Sequence, residues 1–374
     1  MALQAARRAV EHRARLAALF PWTKTPLVVG APMRVFSGPA MAVAIARAGG
    51  LGFIGPGETA ATSEVDLAEA RRLLADQPLQ LGHRAVGEQL DELLPVGIGF
   101  QVWNGSLPAA VAAVAAHRPC AVWLFAPRDG QPQLDEWTAQ LRAASPGTQV
   151  WLQVGTLAEA VAAANAATPA DALVLQGAEA GGHGRTSDGV GIISLLPEVA
   201  DALAQEEESK GSTTTKTDIP LIGAGGIADG RGAVAALGLG AAGVALGTRF
   251  LASTEARISP AYQAEVVRAT DGAASTGRTH LYNHLRGTFG WPAQWMPRGL
   301  LNRSWADHAA GVAFDTLKER HDAAVKQGGT AAWGPEGRTA TYAGASVGLV
   351  RSVEGAGTIV EQLHQEIDEI KKLL

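Results

Sequence analysis

The stretch of sequence between residues 219 and 250 is IPLIGAGGIADGRGAVAALGLGAAGVALGTRF, and it contains one pattern twice. A short apolar run (219–223, then 243–246) leads into glycine, and an alanine-rich segment suited to a helix (228–238) separates the two runs. Apolar runs that alternate with helical segments predict parallel β-strands joined by outer helices. Glycine directly after a strand also lets the backbone come close to a ligand.

The same alternation extends outward over most of the chain. Continuously apolar strands are typical of parallel strands that are buried on both faces. An open doubly wound sheet is the rival arrangement, but eight units with glycine turns after the last two strands favour a TIM (β/α)8 barrel. The predicted strands are 27–31, 51–54, 96–100, 120–125, 149–154, 171–175, 219–223 and 243–246. The predicted helices are about 38–49, 63–75, 106–117, 132–144, 157–167, 194–205, 228–238 and 254–269.

The glycine turns after the seventh and eighth predicted strands form a candidate anion site. They contain Ala224, Gly225 and Gly226 in one turn and Gly247 and Thr248 in the other. Barrels often hold a phosphate after these two strands, where backbone N–H groups and a helix N-terminus favour an anion. Either turn alone could serve the chain reversal only, but the two together predict a phosphate site.

Three predicted strands end at a glutamine, namely Gln101, Gln153 and Gln176. The carboxyl ends of barrel strands form the active-site face, so these amides should converge there. An amide provides both donors and acceptors, which suits the edge of a ring with carbonyl and N–H groups.

His183 lies in a glycine loop, Gly181-Gly182-His183-Gly184, after the sixth predicted strand. Its position at the barrel mouth predicts a functional histidine, acting either as a base or as a group that binds an anion. No HExxH motif or Cys/His spacing accompanies it, so we expect no metal.

Length and composition limit the class of protein. The 374 residues exceed the roughly 250 of an α/β barrel, which leaves room for an appendage. A net charge of −5 without a basic stripe argues against nucleic acid. The single cysteine, Cys120, excludes an internal disulfide and suggests a reducing compartment. No apolar run is long enough to span a membrane.

The first residues of the chain are rich in arginine (Arg7, Arg8, Arg13 and Arg15). We favour a soluble N-terminal helix of a cytoplasmic protein, because the segment lacks the serines that transit peptides usually carry. Organelle targeting remains the alternative.

We predict three parts of the chain: a barrel (1–269), a lid-like segment on the substrate side (270–345) and a C-terminal helix that returns to the barrel (346–374). Residues 205–217 are polar and predict a mobile surface insertion. The apolar positions of 356–373 lie on one helical face, which predicts a helix that returns to the barrel. They are Ile359, Val360, Leu363, Ile367, Ile370 and Leu373.

Several strings together resemble the nitronate monooxygenase family, formerly called 2-nitropropane dioxygenases, and most of all its fungal-type members. The resemblance is continuous over about 25–256 and returns weakly at 282–302 and 343–350. The strings are TPLVVGAPM (25–33), ARAGGLGFIG (46–55), VGIGFQ (96–101), QGAEAGGHG (176–184), ISLLPEV (193–199), GAGGIADGRG (223–232) and ALGLGAAGVALGTRFLASTEA (236–256).

The resemblance implies an FMN enzyme without metal, with His183 as its catalytic residue. It also implies that the cofactor is bound by Ala31, Pro32, Met33, Gln101, Gln153, Gln176, Gly181, Gly182, Ala224, Gly225, Gly226, Gly247 and Thr248. The implied reaction is oxidation of small anionic alkyl nitronates by O2 to carbonyl compounds and nitrite.

Two rival functions are also compatible with these sequence features. One is an FMN-dependent NAD(P)H reductase, of the quinone reductase or enoyl-ACP reductase kind, since such enzymes share the barrel and the glycine motifs. The other is a non-catalytic binder of flavin or a phosphorylated metabolite, against which His183 argues. A homodimer is left open, and fold alone does not decide function.

Overall fold

The computed structural model describes residues 2–57, 59–81, 84–85, 93–210 and 218–374. Within these ranges the strands are β1 (Leu27–Gly30), β2 (Leu51–Ile54), β3 (Gln80–Leu81), β4 (Arg84–Ala85), β5 (Leu94–Gln101), β6 (Pro119–Phe125), β7 (Gln149–Val154), β8 (Ala172–Gln176), β9 (Gly182–Arg185), β10 (Leu221–Ala224), β11 (Gly243–Leu246), β12 (Thr276–Arg278) and β13 (Trp295–Leu300).

The helices in the same ranges begin with α1 (Ala2–Leu19), α2 (Pro39–Arg47), α3 (Ala60–Asp76), α4 (Leu107–His117), α5 (Gln131–Ala144), α6 (Leu157–Ala164), α7 (Ile192–Lys210) and α8 (Gly230–Gly238). They continue with α9 (Thr248–Leu251), α10 (Pro260–Arg268), α11 (Gly272–Ser275), α12 (Leu281–Leu285), α13 (Arg303–Ala309), α14 (Phe314–Gln327), α15 (Gly329–Ala332) and α16 (Ala356–Leu373), with a 3₁₀ helix at Ala345–Leu349 before α16.

The predicted TIM barrel is confirmed. Eight parallel strands of the described chain close in the order β1, β2, β5, β6, β7, β8, β10 and β11. Aromatic rings fill the core inside them: the Phe53 centroid lies 5.3 Å from those of both Trp123 and Trp151. Phe20, which follows α1, packs edge-on against Trp151 at 6.1 Å. Because every strand ends at one face, the strand-end residues meet there.

The predicted helix over 254–269 is wrong in one respect. The structure has a single turn, α9, directly after β11, and a separate helix, α10, that starts at Pro260. The break has a local cause, since the Ser259 hydroxyl accepts from the N–H of Tyr262 and caps the new helix. Proline suits the first turn of a helix and disfavours a helical conformation in the residue before it.

The predicted polar insertion at 205–217 also needs correction. Residues 205–210 are the last turns of α7, and 211–217 lie outside the described residues. At the other end of the chain, α1 is fastened by Arg13, which donates to the carbonyls of Leu237 at 3.0 Å and Ala241 at 3.1 Å. No helix in the described part of the chain is long and apolar enough to cross a membrane.

The segment 270–345 is joined to the barrel through a small antiparallel sheet. Its strands β12 and β13 continue onto β9, which follows the barrel strand β8, in the order β12-β13-β9. His183 in β9 pairs with Pro297 in β13. The division of the chain at residues 269 and 345 stays a prediction.

The last helix, α16, buries Ile359, Val360, Leu363 and Ile367 and leaves Leu373 85% exposed. The apolar face is therefore buried only as far as Ile367. This face packs on the barrel's outer helices α2 and α8.

Candidate active site

A cavity of about 350 Å³ opens at the carboxyl ends of the barrel strands. All the residues that the sequence singled out line it: Ala31, Pro32, Met33, Gln101, Gln153, Gln176, Gly181, Gly182, His183, Ala224, Gly225, Gly226, Gly247 and Thr248. The fold therefore brings together residues that are up to about 220 positions apart in the chain.

The two glycine turns form one end of this cavity. Gly225 and Gly226 have φ angles of +95° and +76°, which residues with a side chain rarely adopt. Gly247 has an ordinary backbone conformation, and a Cβ built there would meet only Met33 Sδ at 3.7 Å and Ala31 Cβ at 4.0 Å. Gly247 thus borders open space that a side chain would fill.

The N-terminus of α8, which follows the turn at Gly225 and Gly226, has fewer free N–H groups for an anion than the sequence suggested. The Asp229 carboxylate accepts from the N–H groups of Arg231 and Gly232 at the start of α8. The N–H of Gly230 donates to Glu366 Oε2 at 2.6 Å, from the distant helix α16. Carboxylates of the protein therefore satisfy the first N–H groups of α8, and the predicted anion site stays a prediction that rests on the N–H groups of the two glycine turns.

The glutamines differ in how they are held. Gln153 Oε1 accepts from the indole N–H of Trp123 at 2.8 Å, which leaves the Gln153 amide N–H groups as donors. Gln176 Nε2 donates to the carbonyl of His183 at 3.0 Å, and its buried Oε1 has no partner among the described residues. Gln101 is half-buried at the cavity wall. These amides offer a ligand both a donor and an acceptor.

Arg278 holds the glycine loop that carries His183. Burial lowers the pKa of this guanidinium to about 10, so it stays charged at neutral pH. Its donors reach four backbone carbonyls, at Met296 (2.6 Å), Ala178 (3.1 Å), Gly182 (3.2 Å) and Ala180 (3.3 Å). The side chain of Arg278 thus connects the glycine loop to the antiparallel sheet β12-β13-β9.

Replacing Arg278 with methionine is expected to lower the free energy of unfolding by about 1.5–3 kcal/mol, since buried carbonyls lose a charged donor. Urea unfolding measures this. Arg298→Met is the matched control, because among the described residues Arg298 donates only to Thr276 Oγ1, and its loss should lower the free energy of unfolding less. Equal losses in the two variants would contradict the clamping role of Arg278.

His183 is exposed to the cavity and otherwise enclosed by protein. Its ring stacks on Trp291 with centroids 3.5 Å apart and planes 9° apart, and its Nε2 lies 2.9 Å from Asn283 Nδ2. Burial, and after it the electrostatic effect of His280, Arg278, Arg34 and Arg286, lowers the pKa of His183 to about 3. His183 is therefore neutral at physiological pH.

Sequence reasoning missed several residues of this cavity. Arg34 follows the predicted Ala31-Pro32-Met33 turn, and the others come from the segment 270–350, which the barrel pattern does not reach. They are Asn283, Arg286, Thr288, Trp291, Tyr342, Gly344 and Ser346. The weak returns of the family resemblance at 282–302 and 343–350 were the available signal.

The arginine and carboxylate side chains that line the cavity, among the described residues, are all of one sign, which is positive. Arg34 and Arg286 line it, whereas no aspartate or glutamate of the described residues does. Nor do the described residues include a cluster of three or more metal-ligating side chains. The lining therefore suits an anionic ligand.

Known proteins are similar to this chain over nearly its whole length. The family model for nitronate monooxygenase matches residues 18–366. A nitronate monooxygenase, npaC, from Metarhizium robertsii is 60% identical, with 95% of each chain covered. A nitronate monooxygenase from Neurospora crassa is 36% identical over 96% of this chain and 94% of that protein.

Solved structures share the fold. Nitroalkane oxidase from Streptomyces ansochromogenes superposes with a TM-score of 0.69 at 25% identity, over 96% of this chain and 99% of that one. FabK from Thermotoga maritima does so with a TM-score of 0.67 at 25% identity, over 96% and 97%. The two scores are nearly equal, so the backbone alone does not separate these activities.

Proposed function

The chain belongs to the nitronate monooxygenase family of oxidoreductases, and from that premise we propose that it binds FMN and oxidises alkyl nitronates with O2 to carbonyl compounds and nitrite. The observation that carries the proposal is that one cavity contains two glycine turns, three glutamine amides and His183. Two arginines, Arg34 and Arg286, give this cavity a positive charge. Each part fits a different portion of the cofactor or substrate.

The glycine turns suit the phosphate of FMN. Backbone N–H groups at Gly226 and Thr248 are suited to donate to an anion, because positive φ angles at Gly225 and Gly226 shape the first turn and no side chain fills the space at Gly247. The Thr248 hydroxyl accepts from the N–H of Gly344 at 2.9 Å, and this bond brings the 3₁₀ helix with Ser346 to the same end of the cavity.

The amides suit the polar edge of the flavin ring. Gln153 is oriented by Trp123 so that it donates, which suits a ring carbonyl or a negative charge that develops beside it. The unpartnered Oε1 of Gln176 suits a ring N–H. Bound FMN would supply the redox chemistry, and Ala31, Pro32 and Met33, which line the cavity, would help to hold it.

The positive groups suit the substrate. A nitronate is an anion, and Arg34 and Arg286 raise its local concentration in a cavity whose described lining has no carboxylate. His183 lines the same cavity, and we propose that it contacts the nitro oxygens. Trp291, stacked on His183, excludes water from one side of the ring.

The rival is an NAD(P)H-dependent flavin reductase. The similarity to FabK keeps it open at the level of the fold. The identity of 60% to a fungal nitronate monooxygenase favours the nitronate reaction.

The test uses the purified full chain. We expect a visible flavin spectrum, FMN rather than FAD released on denaturation, a rapid absorbance change on anaerobic mixing with a nitronate, and nitrite formation in air. Rapid bleaching by NADH without a response to nitronate would favour the reductase. A colourless protein that takes up no FMN would remove the cofactor from the proposal.

A further inference from the structure

A chain of hydrogen bonds leads from the rim of the cavity to His183. Arg286 Nη1 donates to the Tyr342 hydroxyl at 3.4 Å, and that hydroxyl donates to Asn283 Oδ1 at 2.9 Å. Asn283 Nδ2 then lies 2.9 Å from His183 Nε2. Asn283 is only 2% exposed, so bulk water does not compete for its amide.

The donor and acceptor atoms give the direction of this series of hydrogen bonds. A guanidinium has donors and no acceptor, so the Tyr342 oxygen must accept from Arg286, and the Tyr342 proton is left for Asn283 Oδ1. The other end of that amide is an NH₂ group, which can only donate. His183 Nε2 therefore accepts, and the proton of the neutral imidazole lies on Nδ1.

The groups around His183 also disfavour a second proton on its ring. Three guanidinium groups lie near it: Arg278 in β12, Arg286 at the end of α12 and Arg34 in the turn after β1. His280, at the start of α12, is a further titratable group near it, and burial lowers the pKa of His280. The phenol of Tyr342 lies behind Asn283, and burial raises its pKa, so it keeps its proton. A second proton on His183 would be unfavourable among these groups.

We propose that Arg286, Tyr342 and Asn283 are positioning residues that hold His183 as its neutral Nδ1–H tautomer, so that His183 donates a hydrogen bond to a nitronate oxygen instead of removing a proton from a nitroalkane. The part that concerns the substrate rests on the proposed function, whereas the tautomer does not. A neutral imidazole that serves as a hydrogen-bond donor is an established device in enzymes.

The consequence for the substrate is a preference for the preformed anion. A positioned base typically contributes about 10²–10⁴-fold to proton abstraction, and His183 held in this way would not supply it. We expect kcat/KM for a preformed nitronate to exceed that for the parent neutral nitroalkane by about 10²-fold or more.

The direct test is ¹⁵N NMR of the full-length protein labelled at histidine, which distinguishes the two neutral tautomers and the imidazolium. The chain has nine histidines, and the His183→Asn variant identifies the signal of His183. We expect a neutral Nδ1–H ring that does not titrate between about pH 5 and 8. An Nε2–H tautomer, or an imidazolium in this range, would overturn the proposal.

Two variants test the direction of the chain. In Asn283→Asp the carboxylate can only accept, so His183 Nε2 should gain a proton, the pKa of His183 should rise, and a new ionisation should enter the pH profile of kcat/KM. In Tyr342→Phe the Asn283 amide is free to turn, so both tautomers should appear and kcat/KM should fall about 3–10-fold.

Tyr282→Phe is the matched control, because the Tyr282 hydroxyl bonds to Asn302 and lies outside the chain of hydrogen bonds. It should leave the His183 signal unchanged. An unchanged His183 tautomer in Asn283→Asp would refute the positioning role. Absence of nitronate turnover with the expected tautomer would refute the proposed function and leave the hydrogen-bond chain standing.

Discussion

Replacing Gly247 with leucine is expected to give a folded protein that purifies without flavin. The backbone at Gly247 has φ −109°, which any residue adopts, and a Cβ there makes only ordinary contacts with Met33 and Ala31. The rest of the leucine side chain must enter the cavity. If it displaces two hydrogen bonds to the phosphate, each worth about 1.5–3 kcal/mol, FMN affinity falls about 10²–10⁴-fold.

Flavin absorbance per protein and a titration of the apoprotein with FMN measure this loss. Gly238→Leu is the control, because Gly238 is exposed at the end of α8 and a Cβ there meets nothing within 4 Å. That variant should bind FMN normally. Normal FMN affinity in Gly247→Leu would mean that the phosphate does not lie against the turn after β11.

Replacing His183 with alanine is expected to lower kcat/KM for a preformed nitronate about 10²–10³-fold, with flavin content unchanged. The expected size is that of removing one donor that faces a charged oxygen in an enclosed site. Since the variant loses a donor and not a base, the loss should be of similar size on nitronates and on neutral nitroalkanes.

Steady-state kinetics with both substrates, at matched flavin content, measure this effect. His280→Ala is the control, because His280 lies near His183 but does not line the cavity. It should keep most of the activity. A loss confined to neutral nitroalkanes in His183→Ala would instead identify His183 as a base and would contradict the donor role.

Most of the barrel could be predicted from the sequence. All eight predicted barrel strands exist with bounds within three residues, because a strand that is buried on both faces must be apolar at every position, and this signal is local. The helix predicted at 254–269 failed on a local signal that was present, the Ser259-Pro260 pair. Hence the barrel was predictable, and the start of α10 could also have been predicted from its proline.

The site was predictable only in part, and for the same reason. Strand-end glycines and glutamines are found by counting along the chain, since the barrel places all strand ends on one face. The N-terminus of α8 seemed equally open to an anion from its sequence. Glu366, 136 residues away, accepts from its first N–H, and no local pattern indicates such a contact.

By itself, then, the sequence determined a (β/α)8 barrel, a cavity lined by two glycine turns and three amides, and a histidine at its mouth. The tertiary structure decided what that histidine can do. Asn283 is 100 residues from His183, and Tyr342 is a further 59 residues along the chain. Periodicity encodes which face a residue occupies, whereas the direction of a hydrogen bond depends on which distant donors and acceptors the fold brings together.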